Sequence, residues 1–200
     1  MDKIKLVAIL RGIRPAEAAE HIETLIEAGF RYIEIPLNSP DWQQSIPQMV
    51  ARFGEQAVIG AGTVLKVEQV DFLADAGAKL IVTPNTEPTT IRRAVARGMR
   101  VCAGCATATE AFNALDAGAQ WLKIFPSSTF GPDYIRALKA VLPSEVPVLA
   151  VGGVTPENLA SWDEAGCAGA GLGSDLYRAG QAVERTRQQA ERFIAAARCG

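Results

Sequence analysis

Two ionisable side chains stand inside short apolar runs of the sequence. Lys123 lies within "WLKIF" (residues 121–125), and Glu34 lies within "YIEIP" (residues 32–36). Apolar surroundings disfavour a charged amine, so its pKa falls and more of it is neutral and nucleophilic. Such an amine attacks a ketone to form a Schiff base, and a neighbouring carboxylate can move protons. The pair predicts enolisation, aldol cleavage or aldol addition beside a ketone.

The other reactive residue types offer fewer routes to catalysis. His21 is the single histidine and lies in an amphipathic stretch, so a Ser-His-Asp or Cys-His mechanism is hard to build. Of the four cysteines, Cys102 and Cys105 form the one close pair. A zinc site needs further ligands, so we expect reduced, packed thiols and no metal or cofactor, with metal binding or redox use of this pair as the alternative.

The elements that must position these residues repeat along the chain. Five helix-like stretches end in glycine, in "EAGF", "DAGA", "ARGM", "DAGA" and "EAGC", and a short apolar run follows each one. The apolar runs, eight in all, are "LVAIL", "YIEIP", "AVIGAG", "KLIVTP", "RVCAG", "WLKIF", "VPVLAVGG" and "AGAGLG". Alternating strands and helices predict parallel strands with right-handed crossovers.

This alternation predicts that residues 1–200 form a single domain, a (β/α)8 TIM barrel of the α/β class. An open doubly wound sheet is the main alternative. It is less favoured because the turn "RGIRP" after the first strand lacks the glycine pattern of a dinucleotide-binding turn.

Strand residues of a barrel alternate between the interior and the surrounding helices. In "WLKIF", Leu122 and Ile124 share the face toward the helices, so Lys123 points into the barrel. In "YIEIP", the isoleucines on either side of Glu34 likewise face the helices, so Glu34 also points into the barrel. A purely structural buried ion pair is the alternative, although such pairs add little stability because desolvation opposes their attraction.

Polar residues follow several of the predicted strands, where the active site of a barrel enzyme lies. Arg11 ends the first run, Thr63 follows the third, and Pro84 lies in "TPN" after the fourth. The planar fork of Arg11 suits a substrate carboxylate, and Thr63 can donate one hydrogen bond. A capping or turn role is the alternative for Arg11 and Thr63.

Glycines follow the last two strands, in "AVGGVTPENL" (residues 150–159) and "AGLGSDLYRAG" (170–180). Barrel enzymes frequently bind phosphate in these two loops, where bare backbone N–H groups surround the anion. The loops therefore predict a phosphate site, and glycines that serve only tight turns are the alternative.

Composition narrows the class of partner. The formal charge is −2 and 48% of residues are hydrophobic, yet there is no basic tract and no apolar run of membrane-spanning length. We therefore expect a small-molecule partner, neither nucleic acid nor membrane, and a cytoplasmic location.

Seven motifs in order, "RGI", "IEIPLNSP", "IGAGTVL", "IVTPN", "LKIFPSS", "AVGGVTPEN" and "GLGSDLYR", resemble the phosphogalactonate-cleaving members of the KDPG/KHG aldolase family. The resemblance covers almost the whole chain. It implies a metal-free class I pyruvate aldolase on a (β/α)8 barrel, usually a homotrimer. Such an enzyme splits a phosphorylated 2-keto-3-deoxy sugar acid into pyruvate and D-glyceraldehyde 3-phosphate.

The resemblance also implies roles for individual residues. Lys123 becomes the Schiff-base residue, and Glu34 becomes the general acid and base, acting through water. Arg11, Thr63 and Pro84 contact the pyruvate end, and the phosphate is held by Gly152, Gly153, Gly173 and Ser174.

One position departs from the phosphogluconate-specific relatives, which carry arginine where this chain has Asn38. The carboxylate role then falls on Arg11, and the bulk of Val154 is expected to influence the accepted C4 configuration. The alternatives are a phosphogluconate or 4-hydroxy-2-oxoglutarate aldolase, a phosphate-binding barrel isomerase, and a non-catalytic phosphometabolite binder.

Overall fold

Eight parallel strands close into a barrel in the computed structural model, which describes residues 5–199. The strands are β1 (Lys5–Ile9), β2 (Tyr32–Pro36), β3 (Val58–Gly62), β4 (Leu80–Val82), β5 (Arg100–Cys105), β6 (Trp121–Ile124), β7 (Val148–Val151) and β8 (Gly169–Leu172). The helices are α1 (Pro15–Ala28), α2 (Trp42–Phe53), α3 (Val67–Asp75), α4 (Pro88–Ala96), α5 (Ala108–Asp116), α6 (Ser127–Lys139), α7 (Leu159–Glu164) and α8 (Val183–Cys199).

Closure decides between the two predicted architectures. Each strand pairs with its sequence neighbours, and β1 also pairs with β8, with Lys5 opposite Gly169 and Ala8 opposite Leu172. The predicted (β/α)8 barrel is confirmed, and the open doubly wound sheet is wrong because no strand edge is left unpaired within residues 5–199.

Glycine ends the helices where the sequence predicts. Each of the five glycines that follow these helices takes a left-handed backbone conformation, which L-residues with a side chain rarely adopt. The φ values are 118° at Gly29, 84° at Gly77, 74° at Gly98, 100° at Gly118 and 89° at Gly166. These sharp ends send the chain from each helix directly into the next strand.

The strands separate two cores. Leu122, Ile124 and the isoleucines beside Glu34 pack outward against the helices. A smaller cluster fills the barrel interior and includes Val7, Leu80, Cys102, Trp121 and Leu149. The alternation argued from the sequence is therefore confirmed for both strands that carry the candidate catalytic residues.

Aromatic side chains form a floor at the amino-terminal end of the barrel. The rings of Tyr32 and Trp121 meet edge to face with centroids 5.1 Å apart. The Arg100 guanidinium lies 4.8 Å and the Lys5 ammonium 6.0 Å from the Trp121 ring. The polar residues that follow the strands lie at the opposite, carboxyl-terminal end, where barrel enzymes carry their active sites.

The histidine and the close cysteine pair are buried in the packed parts of the barrel. His21 is buried on α1, where its Nδ1 lies 2.8 Å from Thr186 Oγ1. Cys102 faces the barrel interior and Cys105 the helix layer, so the two free thiols lie on opposite faces of β5. No helix in the described part of the chain combines the length and apolar character that a membrane crossing requires.

Candidate active site

Lys123 projects from the middle of β6 into the barrel interior and is 5% exposed. Gly104 is its register partner on β5, and Phe125 covers it from the entrance, with Nζ 4.9 Å from the ring centroid. Burial lowers the pKa of the Lys123 ammonium, while Glu34 opposes that shift. The amine therefore has a larger neutral, nucleophilic fraction than an exposed lysine.

Glu34 projects from β2 into the same interior and is 2% exposed. Its Oε2 has no hydrogen-bond partner, and a side chain at Gly62 on β3 would collide with this carboxyl group. Burial raises the pKa of Glu34 to about 7, against the opposing charges of Lys123 and Arg11. A group with that pKa can both accept and donate a proton near neutral pH.

The two groups do not neutralise each other by direct contact. None of the salt bridges formed within residues 5–199 joins Lys123 to Glu34. The structural ion pair considered from the sequence is therefore not the observed arrangement. The amine and the carboxyl group instead influence each other's pKa across the barrel interior without a direct salt bridge.

The turns after β1, β2 and β3 meet at one side of the entrance. Arg11 Nη1 donates a 2.8 Å hydrogen bond to Asn38 Oδ1 and lies 3.5 Å from Thr63 Oγ1. Thr63 has a φ of 54°, a conformation that is uncommon for a residue with a side chain and is often found at functional sites. Pro84 follows β4, and its backbone closely approaches Gly104, the register partner of Lys123.

The glycines predicted to hold phosphate follow β7 and β8. Gly152 and Gly153 have φ values of 99° and 73°, and the Gly152 carbonyl accepts a 3.1 Å hydrogen bond from the N–H of Ser128 at the start of α6. Gly173 borders open space, and Ser174 beside it is exposed. Both loops therefore leave backbone accessible around the entrance.

Val154 is placed differently from the other candidate residues. It is 4% exposed and packs within the outer core between strands and helices. An effect of Val154 on substrate choice stays a prediction, and it would have to act through the backbone of the preceding glycine pair.

Three further residues shape the site without having been assigned a role from the sequence. Asn38 anchors Arg11, Gly62 makes room for the Glu34 carboxyl group, and Phe125 covers Lys123. The inward position of Gly62 follows from strand alternation, so the sequence alone could have identified it. The other two contacts depend on turn geometry, which has no simple sequence pattern.

A buried lysine and carboxyl group inside a barrel, below a polar entrance, form a site typical of Schiff-base enzymes. The family model described as "Aldolase: KDPG and KHG aldolase" matches residues 1–192. The chain is 69% identical to the 2-dehydro-3-deoxy-6-phosphogalactonate aldolase of Escherichia coli (strain K12), over 98% of this chain and 96% of that protein. It is 48% identical to a probable 2-dehydro-3-deoxy-6-phosphogalactonate aldolase of Rhizobium meliloti (strain 1021), over 96% of this chain and 90% of that one.

A solved structure described as native KDPGal matches with a TM-score of 0.97 and 69% identity, covering 99% of this chain and 96% of that chain. The chain belongs to the KDPG and KHG aldolase family. The predicted family and enzyme class, a carbon–carbon lyase, are confirmed, and the non-catalytic binder and the barrel isomerase are wrong.

Proposed function

We propose that this protein cleaves 2-dehydro-3-deoxy-6-phosphogalactonate into pyruvate and D-glyceraldehyde 3-phosphate in galactonate catabolism. Sequence similarity supports the substrate, and one structural observation supports the chemistry. Lys123 and Glu34 share the barrel interior without a direct salt bridge, the pKa of the amine is lowered, and the pKa of the carboxyl group is raised to about 7.

The proposed reaction begins at the substrate ketone. The neutral Lys123 amine attacks C2, and loss of water leaves an iminium bonded to Nζ. Glu34, directly or through water, removes the proton of the C4 hydroxyl, so the C3–C4 bond breaks and its electrons enter the iminium. Glyceraldehyde 3-phosphate leaves, the resulting enamine takes a proton at C3, and hydrolysis returns pyruvate and the free amine.

Binding groups at the two ends of the entrance orient this substrate. Arg11 holds the carboxylate beside the reacting ketone, and Thr63 and Pro84 border the same end. Backbone N–H groups of the loops containing Gly152, Gly153, Gly173 and Ser174 surround the phosphate, as such groups commonly do in barrel enzymes. The two anionic groups of the substrate are thereby held apart, with C2 over Lys123.

Borohydride reduction in the presence of pyruvate tests the proposal. A reduced pyruvate adduct should appear on Lys123 by peptide mass spectrometry and be absent in Lys123→Arg, which keeps the charge but not the nucleophile. Glu34→Gln should still form the adduct, whereas its turnover should fall by about 10²- to 10⁴-fold. Label on the exposed Lys66 or Lys79, or on the half-buried Lys139, instead would contradict the assignment.

Comparing the two C4 epimers of the phosphorylated sugar acid tests the substrate. The galacto epimer should be cleaved with the higher kcat/KM. Faster cleavage of the gluco epimer, or of 4-hydroxy-2-oxoglutarate, would assign the chain to the other activities of its family.

We also propose that the chain acts as one barrel domain in a cytoplasmic homotrimer. The metal-free mechanism calls for no cofactor. One related structure, 69% identical over 98% of this chain, is described as a protein cage designed by fusing symmetric oligomeric domains. Large apolar side chains also remain exposed on this chain, among them Leu65 and Phe72.

A further inference from the structure

Two neighbouring turns are joined by a pair of hydrogen bonds at the barrel entrance. Asn38 Oδ1 accepts from the Arg11 guanidinium at 2.8 Å, and Ser39 Oγ accepts from the Gly12 N–H at 2.9 Å. The turn after β2 thus contacts both the side chain and the backbone of the turn after β1. Ser39 fixes where the β1 turn lies, and Asn38 fixes where its guanidinium lies.

The contact with Asn38 restricts a flexible group. Arg11 and Asn38 are both exposed, so the surrounding core does not hold the arginine side chain. An unrestrained arginine loses about 2 kcal/mol of rotamer freedom when a ligand immobilises it. The nearby Thr63 oxygen, at 3.5 Å, is too distant to restrain it well. Asn38 is therefore the main anchor of the guanidinium.

The amide has an electrostatic advantage over a carboxylate. Arginine can only donate, so the oxygen of the Asn38 amide must face it. This neutral acceptor occupies Nη1 and leaves the positive charge and the other guanidinium donors for a ligand. An aspartate in the same place would form an ion pair and compete with the ligand carboxylate.

We propose that Asn38 is a positioning residue that holds Arg11, uncompensated in charge, for the substrate carboxylate. The proposal rests on the function proposed above, because it needs Arg11 to bind that carboxylate. Asn38 acts through Arg11 and does not itself touch the substrate.

A double-mutant cycle tests this, with pyruvate as a probe that has a carboxylate and no phosphate. Asn38→Ala should raise the pyruvate concentration for half-maximal methyl-proton exchange by about 3- to 10-fold, with the maximal rate changed less than about 2-fold. Arg11→Ala should raise it further, and Arg11→Ala with Asn38→Ala should match Arg11→Ala alone.

Glyceraldehyde 3-phosphate supplies the opposite probe, since it has a phosphate and no carboxylate. Its inhibition constant should be unchanged in Asn38→Ala. Asn113→Ala, which removes an exposed asparagine on α5, should match the native protein in both measurements. Asn38→Asp should weaken pyruvate binding at least as much as Asn38→Ala, because it keeps an acceptor but pairs the charge.

Three results would overturn the proposal: native pyruvate binding by Asn38→Ala, native pyruvate binding by Asn38→Asp, or a double variant weaker than Arg11→Ala. The last result would mean that Asn38 contacts the substrate itself. Failure of the proposed function is distinguishable, because the native protein would then form no borohydride-stable pyruvate adduct at Lys123.

Discussion

At the scale of single residues, the site depends on what surrounds the Glu34 carboxyl group. Gly62 leaves it space, and its Oε2 receives no hydrogen bond. Ionisation is therefore opposed by burial and only partly helped by the cations Lys123 and Arg11. A proton that an exposed glutamate would lose in mild acid is kept until near neutral pH, where the proposed reaction uses it.

This burial predicts how folding stability changes with pH. The pKa of Glu34 rises from an ordinary value of 4.5 to about 7 on folding, so the folded state binds the proton more tightly than the unfolded state. That contribution is fully present below pH 4.5 and is lost as the pH rises through 7. Glu34→Gln removes the titration, so it should gain stability relative to the native protein between pH 5 and pH 8, on the order of 2 kcal/mol.

Urea unfolding of both proteins at the two pH values measures this difference. Asp116→Asn, which alters a carboxyl group outside the barrel interior, serves as a control. A constant difference between Glu34→Gln and the native protein across this range would mean that Glu34 titrates normally.

At the scale of elements, the loops after β7 and β8 differ in whether a glycine can be replaced without disturbing the fold. A side chain at Gly153 would approach Ser128 Cβ to 2.6 Å in a left-handed backbone, so substitution there risks the fold. Gly173 has no positive φ and no heavy atom within 4 Å of an added Cβ. A side chain at Gly173 would extend into open space with little strain.

Gly173→Val is therefore expected to weaken phosphate binding selectively. We expect the KM for the phosphorylated substrate and the inhibition constant of inorganic phosphate to rise about 10-fold or more, because the side chain blocks approach to the backbone N–H groups. Pyruvate exchange should stay near the native rate, since pyruvate has no phosphate. Equal losses of exchange and cleavage in a folded variant, with phosphate inhibition unchanged, would show that this loop only shapes the barrel.

The elements and the inward residues were largely predictable, whereas contacts between loops were not. Period-two alternation around Lys123 and Glu34 identifies their direction because a strand has only two faces. The predicted "YIEIP" coincides with β2, whereas β4 is shorter than "KLIVTP". The Arg11–Asn38 hydrogen bond joins residues 27 positions apart in two turns, and no local pattern encodes the rotamers that bring them together.

At the scale of the whole molecule, one apolar surface is a candidate for subunit contact. Phe72 on α3 is 40% exposed, and its ring meets that of Trp42 on α2 with centroids 5.3 Å apart. A threefold assembly joins two different surfaces of each chain, so this aromatic pair would face a second, distinct surface of the next subunit.

Phe72→Glu should dissociate the proposed trimer, because a buried charge without a partner is costly at an interface. Sedimentation velocity would then give the mass of one chain. Val141→Glu, which places the same charge at another exposed apolar position, should leave the trimer intact. An intact trimer in Phe72→Glu would place the aromatic pair outside the interface, and dissociation by both variants would mean that the effect is not specific to this surface.

The aromatic side chains at the amino-terminal end of the barrel also affect the route by which ligands reach and leave the site. Tyr32 and Trp121 pack edge to face at one end, so we expect ligands to reach Lys123 through the other. In the proposed cleavage the aldehyde departs before pyruvate, because the pyruvate carbons stay bonded to Lys123 until hydrolysis. In the condensation direction pyruvate must bind first, and an aldehyde that binds before it blocks the access of pyruvate to Lys123. High concentrations of aldehyde should therefore inhibit carbon–carbon bond formation, and added pyruvate should relieve this inhibition.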